Sequence, residues 1–225
     1  TAMRSLLLCF PLLTLAVALS SVGGEMPRLR VSDNHRFLVT ESGQPFFWLG
    51  DTAWDLRMLK PDEVDLYMSN RVHHGFNVVQ VCCGYNGTDH AGHRPYRDGN
   101  TDTPNEAFWA SIDALVHKAR PHGLYVALVP MWGQEYAHAV ASDAGKARRL
   151  GQWIGRRYAQ EPHVLWIVSG EYDSINNFRL PISAAQKSVL NAVALGLRES
   201  HGGRQLMTIH PGIAYTSSLD FHNAA

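Results

Sequence analysis

The sequence predicts an α/β fold, a (β/α)₈ TIM-type barrel carried through about five strands behind an N-terminal β-hairpin. Three observations point there. Short apolar runs alternate with amphipathic helical stretches five times, the order that builds a parallel sheet wrapped by helices. The strands are apolar almost throughout, as strands covered on both faces are. Polar and aromatic residues follow nearly every strand, which suits a barrel whose opening is assembled from all the strand ends. The competing architecture, an open doubly wound sheet, announces itself with a glycine-rich phosphate loop after its first strand. Gly50-Asp51-Thr52-Ala53-Trp54 is not one.

The N-terminus reads as an export signal. Met3 and Arg4 begin a short basic segment, Ser5 to Leu19 is an almost uninterrupted apolar run, and Ser20, Ser21, Gly23 and Gly24 offer a cleavage site. Residues 1–24 are therefore expected to be a signal peptide starting at Met3, and the mature chain to be secreted or periplasmic. The run is short for a membrane span, so no membrane association is expected after cleavage. Cys9 would leave with the signal. The remaining pair, Cys82 and Cys83, are neighbours and make no disulfide framework, so an ordinary core must supply stability. With 45% hydrophobic residues the chain can build one. Lysine and arginine (20) balance aspartate and glutamate (20), which argues against nucleic acid as the partner.

Residues 25–225 then read as the N-terminal part of a barrel. Leu29-Arg30-Val31 and Phe37-Leu38-Val39 flank Asp33-Asn34-His35 as a hairpin that covers the bottom or side of the domain. Phe46 to Leu49 is expected as the first barrel strand. Pro61 opens a helix with Asp62 and Glu63 in its first turn, Val64, Tyr67, Met68 and Val72 on its inner face, and Gly75 at its end. Phe76 to Cys82 is the second strand. After a long polar connection, Thr103 with Glu106 reads as a capping box, with Pro104 at the first helical position and Phe108, Ile112, Leu115 and Ala119 buried. Leu124 to Val129 is the third strand. Asp143 caps a helix carrying Leu150, Ile154 and Tyr158, and Val164 to Val168 is the fourth strand. Ser183 with Gln186 caps a helix carrying Val189, Val193 and Leu197, and Leu206 to Ile209 is the fifth strand. Eight strands would need on the order of 100 or more further residues. Alone, five strands with two open edges are expected to aggregate or stay partly unfolded.

The strand ends carry the chemistry. They are Asp51, Thr52 and Trp54; then Cys82, Cys83, Tyr85 and Asn86; then Trp132, Gln134 and Glu135; then Glu171 and Asp173; then His210. In a barrel these face one opening. Carboxylates, tryptophans, amides and a histidine suit a carbohydrate, because aromatic faces stack on sugar C–H faces while polar groups hold hydroxyls. Glycosidic cleavage needs two carboxyl groups, one to protonate the leaving oxygen. Glu171 fits that role, since the apolar strand before it would fix its position; an ion pair at the rim is its structural alternative. Asp51, Trp54, Gln80, Trp132 and His210 are the candidate substrate contacts, and Trp54 and Trp132 could equally be rim packing. Glu135 and Asp173 read as solvated or supporting residues. Cys82 and Cys83 lack a histidine partner and read as core packing. The twelve histidines show no converging spacing, so neither a metal nor another cofactor is expected.

Pro45-Phe46-Phe47-Trp48-Leu49-Gly50-Asp51-Thr52-Ala53-Trp54 resembles the opening signature of the apiosidase-like glycoside hydrolases. Gly75-Phe76-Asn77-Val78-Val79-Gln80, Val164 to Glu171 and Ser218-Leu219-Asp220-Phe221 resemble later segments of that family, so the likeness runs from about Leu29 onward. The resemblance implies a (β/α)₈ barrel, activity on plant-type polysaccharide side chains, and a retaining two-carboxylate mechanism. It also implies an acid/base at the position of Glu171 and a nucleophilic glutamate on a later strand that no residue here matches. The family commonly has two glycines and an aspartate where this chain has Ser169-Gly170-Glu171, so substrate preference does not carry over. By this reading the fragment alone is inactive. A non-catalytic carbohydrate-binding or cell-surface protein on the same barrel is the alternative.

Overall fold

In a computed structural model, residues 26–84, 87–133, 143–173 and 182–212 are described. The expected signal peptide, Tyr85, Asn86, Gln134, Glu135 and Ser218 to Phe221 lie outside them. β1 (Leu29–Val31), β2 (Leu38–Thr40) and β3 (Pro45–Phe46) form an antiparallel sheet in that order. Five further strands form a parallel sheet in chain order: β4 (Gly50–Thr52), β5 (Val78–Cys82), β6 (Tyr125–Val129), β7 (Val164–Gly170) and β8 (Met207–His210). Between them run α1 (Pro61–His73), α2 (Glu106–Ala119), α3 (Ala144–Tyr158) and α4 (Ala184–His201). The alternating α/β order and the antiparallel lead-in are those the sequence predicts. Among the described residues no helix is long and apolar enough to cross a membrane.

Two boundaries differ from expectation, for local reasons. Phe46 does not open the parallel sheet; it pairs with Leu38 in the lead-in, and Phe47 is 79% exposed. The Asn77 side chain donates to Phe47 O at 2.7 Å and accepts from Leu49 N at 2.9 Å, so these backbone groups are taken before the ladder begins at Gly50 opposite Val78. The second difference is at α2. Thr103 Oγ1 donates to the carbonyls of Arg97 and Asn100 within the preceding loop, and Asn105 caps the helix instead, accepting from Ala107 N. Elsewhere the caps form as read: Asp143 accepts from Lys146 N, and Ser183 and Gln186 make the reciprocal pair. Val72, expected on the inner face of α1, is 41% exposed.

Alternation sorts each strand to two cores. Val79, Val81, Val126, Leu128, Trp166 and Val168 pack against the helices. Val78, Cys82, Ala127, Val129, Leu165 and Ile167 form the inner cluster, joined by Leu29 and Phe46 of the lead-in. The lead-in attaches at the N-terminal ends of the strands. Tyr125, the first residue of β6, donates to Pro27 O at 2.6 Å and meets the Phe46 ring edge-on at 5.1 Å; Arg28 reaches Ala159 O ahead of β7. The N-terminal end of the sheet is thereby covered by the lead-in.

Helices α3 and α4 cross so closely that glycine is required on both. A β-carbon on Gly151 would lie 2.3 Å from Val193 O, and one on Gly196 would lie 2.2 Å from Arg148 O. Gly151→Ala is therefore expected to destabilise the fold by about 1–3 kcal/mol, as overpacking does. Urea unfolding reads this, and a midpoint equal to wild type would contradict the crossing.

His163 and His201 are fully buried, and burial pushes both imidazoles below the ordinary value of 6.5. Both are neutral, folded or unfolded, well above 6.5. Below it the unfolded chain takes up protons that the fold refuses, so stability is lost as pH falls from 6.5 toward the lowered folded values. Urea midpoints should decline as pH falls below about 6.5. A flat profile across that window would contradict this.

Candidate functional site

The site is built around the end of β7. Along β7 and β8, Ile167 sits opposite Thr208 and Gly170 opposite His210, so three steps on one strand match two on the other. The extra residue is a bulge at Val168-Ser169. Val168 faces the helices, and strict alternation would send Gly170 the same way. The bulge turns Gly170 to the inner face instead, where Trp132 lies across it. A β-carbon on Gly170 would be 2.1 Å from two atoms of the Trp132 ring, so only glycine fits. Gly170 N also donates to Met131 O at 3.1 Å, which ties the ends of β6 and β7 together.

Glu171 follows, partly exposed, with a backbone φ of +41°. A residue with a β-carbon adopts that region at a cost of about 1–2 kcal/mol. Such conformations gather at functional sites, where the surroundings hold them in place.

Three candidate residues from different strand ends meet beside this turn. The Trp54 and Trp132 rings are 4.8 Å apart at 60°, and the His210 ring is 5.7 Å from each. Trp54 is held from beneath by a residue that no sequence pattern marked. Arg57, whose side chain is 1% exposed, donates through Nη1 to Trp54 O, Asp55 Oδ1 and Cys82 O, and Cys82 N donates to Trp54 O. These bonds close the end of β4 onto β5. Sequence reasoning had no signal for Arg57, because its acceptors are mostly backbone carbonyls whose convergence depends on the fold.

Gln80 lies deeper on the inner face. With Trp48, Ile167, Thr208 and His210 it lines a cavity of about 400 Å³. Asp51 is elsewhere. Its carboxylate accepts from Tyr67 of α1 and from Arg71 Nη1 at 3.1 Å, so it ties β4 to the helix layer and is not among the groups gathered at the rings. Burial, with the Asp51 hydrogen bond second, pushes the Tyr67 phenol up and keeps it a donor.

Cys82 and Cys83 are buried, and Cys83 Sγ donates to Val129 O; burial raises its thiol far from the reactive range. His93 is held by the buried Asp89 in the loop after β5, and His73 and His74 pack on each other at the end of α1. Among the described residues no three of histidine, cysteine, aspartate or glutamate converge. Asp173 is a supporting residue and not a solvated one: it is fully buried, and its Oδ1 accepts from Gly212 N at 2.7 Å.

Comparison with known proteins agrees with this architecture. Residues 32–225 match the family described as apiosidase-like, catalytic domain. No curated protein matches the chain. A glycoside hydrolase family 5 structure from Bacteroides vulgatus is 29% identical with a TM-score of 0.75, covering 87% of this chain and 42% of its own. A second structure, described as a glycoside hydrolase, is 30% identical with a TM-score of 0.76, covering 88% and 44%. The chain thus spans less than half the length of either. The catalytic domain of the Thermobifida fusca endoglucanase Cel5A shares the fold at 16% identity and a TM-score of 0.52, with 84% and 55% covered.

The positive φ of Glu171 makes a prediction free of any assay for activity. Glu171→Gly should be more stable than Glu171→Ala by about 1 kcal/mol, the reverse of the usual order for these residues. Denaturant midpoints of the two variants read the difference. An alanine variant as stable as the glycine one would mean that the turn is unstrained.

Proposed function

This chain belongs to the apiosidase-like catalytic-domain family, and from that premise we propose that it is part of an exported retaining glycoside hydrolase that cleaves side-chain sugars of plant-type polysaccharides, with Glu171 as its general acid/base. One observation carries the reading. Glu171 stands at the C-terminal end of the sheet, directly after β7, at positive φ and beside Trp132.

In the proposed reaction the Glu171 carboxyl gives its proton to the glycosidic oxygen as the bond to the anomeric carbon breaks. A second carboxylate, from a barrel strand later than the five described, attacks the opposite face of the sugar to form a covalent glycosyl intermediate. Glu171 then removes a proton from the water that hydrolyses it. Trp54 and Trp132 offer faces for sugar C–H groups, and His210 and Gln80 offer polar contacts to hydroxyls. Asp51 is assigned a different task, holding β4 to α1 through Tyr67 and Arg71. Export is the part of the proposal that rests on the sequence alone, on the basic, apolar and small-residue order of residues 3–24.

The test uses the full-length protein on pectic and hemicellulosic glycosides. Glu171→Gln should lower turnover at least about a hundredfold when the leaving group needs protonation, and far less on an activated aryl glycoside. Undiminished turnover on both would remove Glu171 from the mechanism. Saturable sugar binding with no turnover by the wild type would favour a carbohydrate-binding protein instead.

A further inference from the structure

A strained backbone persists only where its surroundings over-determine it, so the turn at Glu171 must be held on both sides. On the N-terminal side the holding groups are backbone and ring. Gly170 N donates to Met131 O, Gly170 pairs with His210 across the sheet, and the Trp132 ring covers the Gly170 Cα. On the C-terminal side the strand ladder has ended, and a side chain takes its place. Asp173 Oδ1 accepts the Gly212 amide at 2.7 Å, joining residues 39 apart in the chain. Asp173 lies two residues past Glu171, and Gly212 two past His210. This bond is thus a further rung between the segments that carry the two candidate site residues.

Tyr172 and Asp173 are both 0% exposed, whereas Glu171 between Gly170 and Tyr172 is partly open. The second carboxylate oxygen of Asp173, Oδ2, is buried and has no hydrogen-bond partner among the described residues. Taking a carboxylate out of water with a single donor is unfavourable, and a well-packed apolar residue would serve stability better. An acceptor aimed at Gly212 is what an apolar residue could not provide.

We propose that Asp173 is the positioning residue of this site. By holding Gly212 it clamps the turn that carries Glu171 at positive φ and keeps that turn in register with His210. It does not touch substrate, being fully buried. The proposal rests on the reading of Glu171 as the general acid/base, and its consequence is specific. Loss of the clamp should weaken proton donation more than sugar binding, so it should lower kcat with little change in KM.

The experiment compares Asp173→Ala and Asp173→Asn in the full-length protein, with amide hydrogen exchange at Gly212 as a readout independent of activity. Asparagine keeps an oxygen that can accept from Gly212, whereas alanine does not. Asp173→Ala should lower kcat at least about tenfold on a substrate with a poor leaving group and no more than about threefold on an activated aryl glycoside, and Asp173→Asn should recover to within about threefold of wild type. Equal losses on both substrates, or an asparagine variant as impaired as alanine, would overturn the proposal. Should the wild type turn over no glycoside, the reading of Glu171 fails separately and the exchange measurement decides the clamp. Exchange at Gly212 about tenfold faster in the alanine variant supports it, and unchanged exchange overturns it.

Discussion

At Gly170 the backbone of β7 comes so close to Trp132 that a β-carbon would lie 2.1 Å from two atoms of the indole. Most of what surrounds the candidate site follows from that contact. It requires the bulge at Val168-Ser169, which turns Gly170 inward, and it fixes Trp132 at the end of β6. With Trp132 fixed, Trp54 and His210 complete a ring cluster drawn from three strand ends. The next residue is Glu171, at positive φ.

The fold divides its work between two ends. The lead-in strands seal the N-terminal ends of β6 and β7 through Pro27, Arg28 and Phe46, and the helices cover the outer face with a dense apolar core. That leaves the C-terminal ends to carry features that stability alone does not favour: a positive φ at Glu171, a buried carboxylate at Asp173 and a buried guanidinium at Arg57. Each is affordable because the remainder of the sheet is well packed, and all three lie at the same end.

Much of this architecture was legible in the sequence, because burial periodicity and helix caps are local. Asp143, Ser183 and Gln186 act as read, and the resemblance carried by Pro45 to Trp54 agrees with the family match over residues 32–225. What was not legible depended on register. Phe46 and Leu49 look like a strand until the Asn77 side chain claims the backbone beside them. Thr103 has the spacing of a cap, yet the loop before it offers its hydroxyl two carbonyls first. Asp51 sits in a strand of three residues, too short for alternation to reveal which face it takes, and it turned to α1. The bulge in β7 has no signature in an apolar run, so the inward turn of Gly170 could not be anticipated. Arg57 and Asp173 act on backbone groups brought near only by folding.

The most direct measurement is a crystal structure of the full-length protein with a bound oligosaccharide. A sugar ring is expected at the C-terminal ends of the strands, against Trp54 or Trp132, with the Glu171 carboxyl about 3 Å from the glycosidic oxygen. A sugar bound on the lead-in side or along the helices, with Glu171 away from it, would contradict the account.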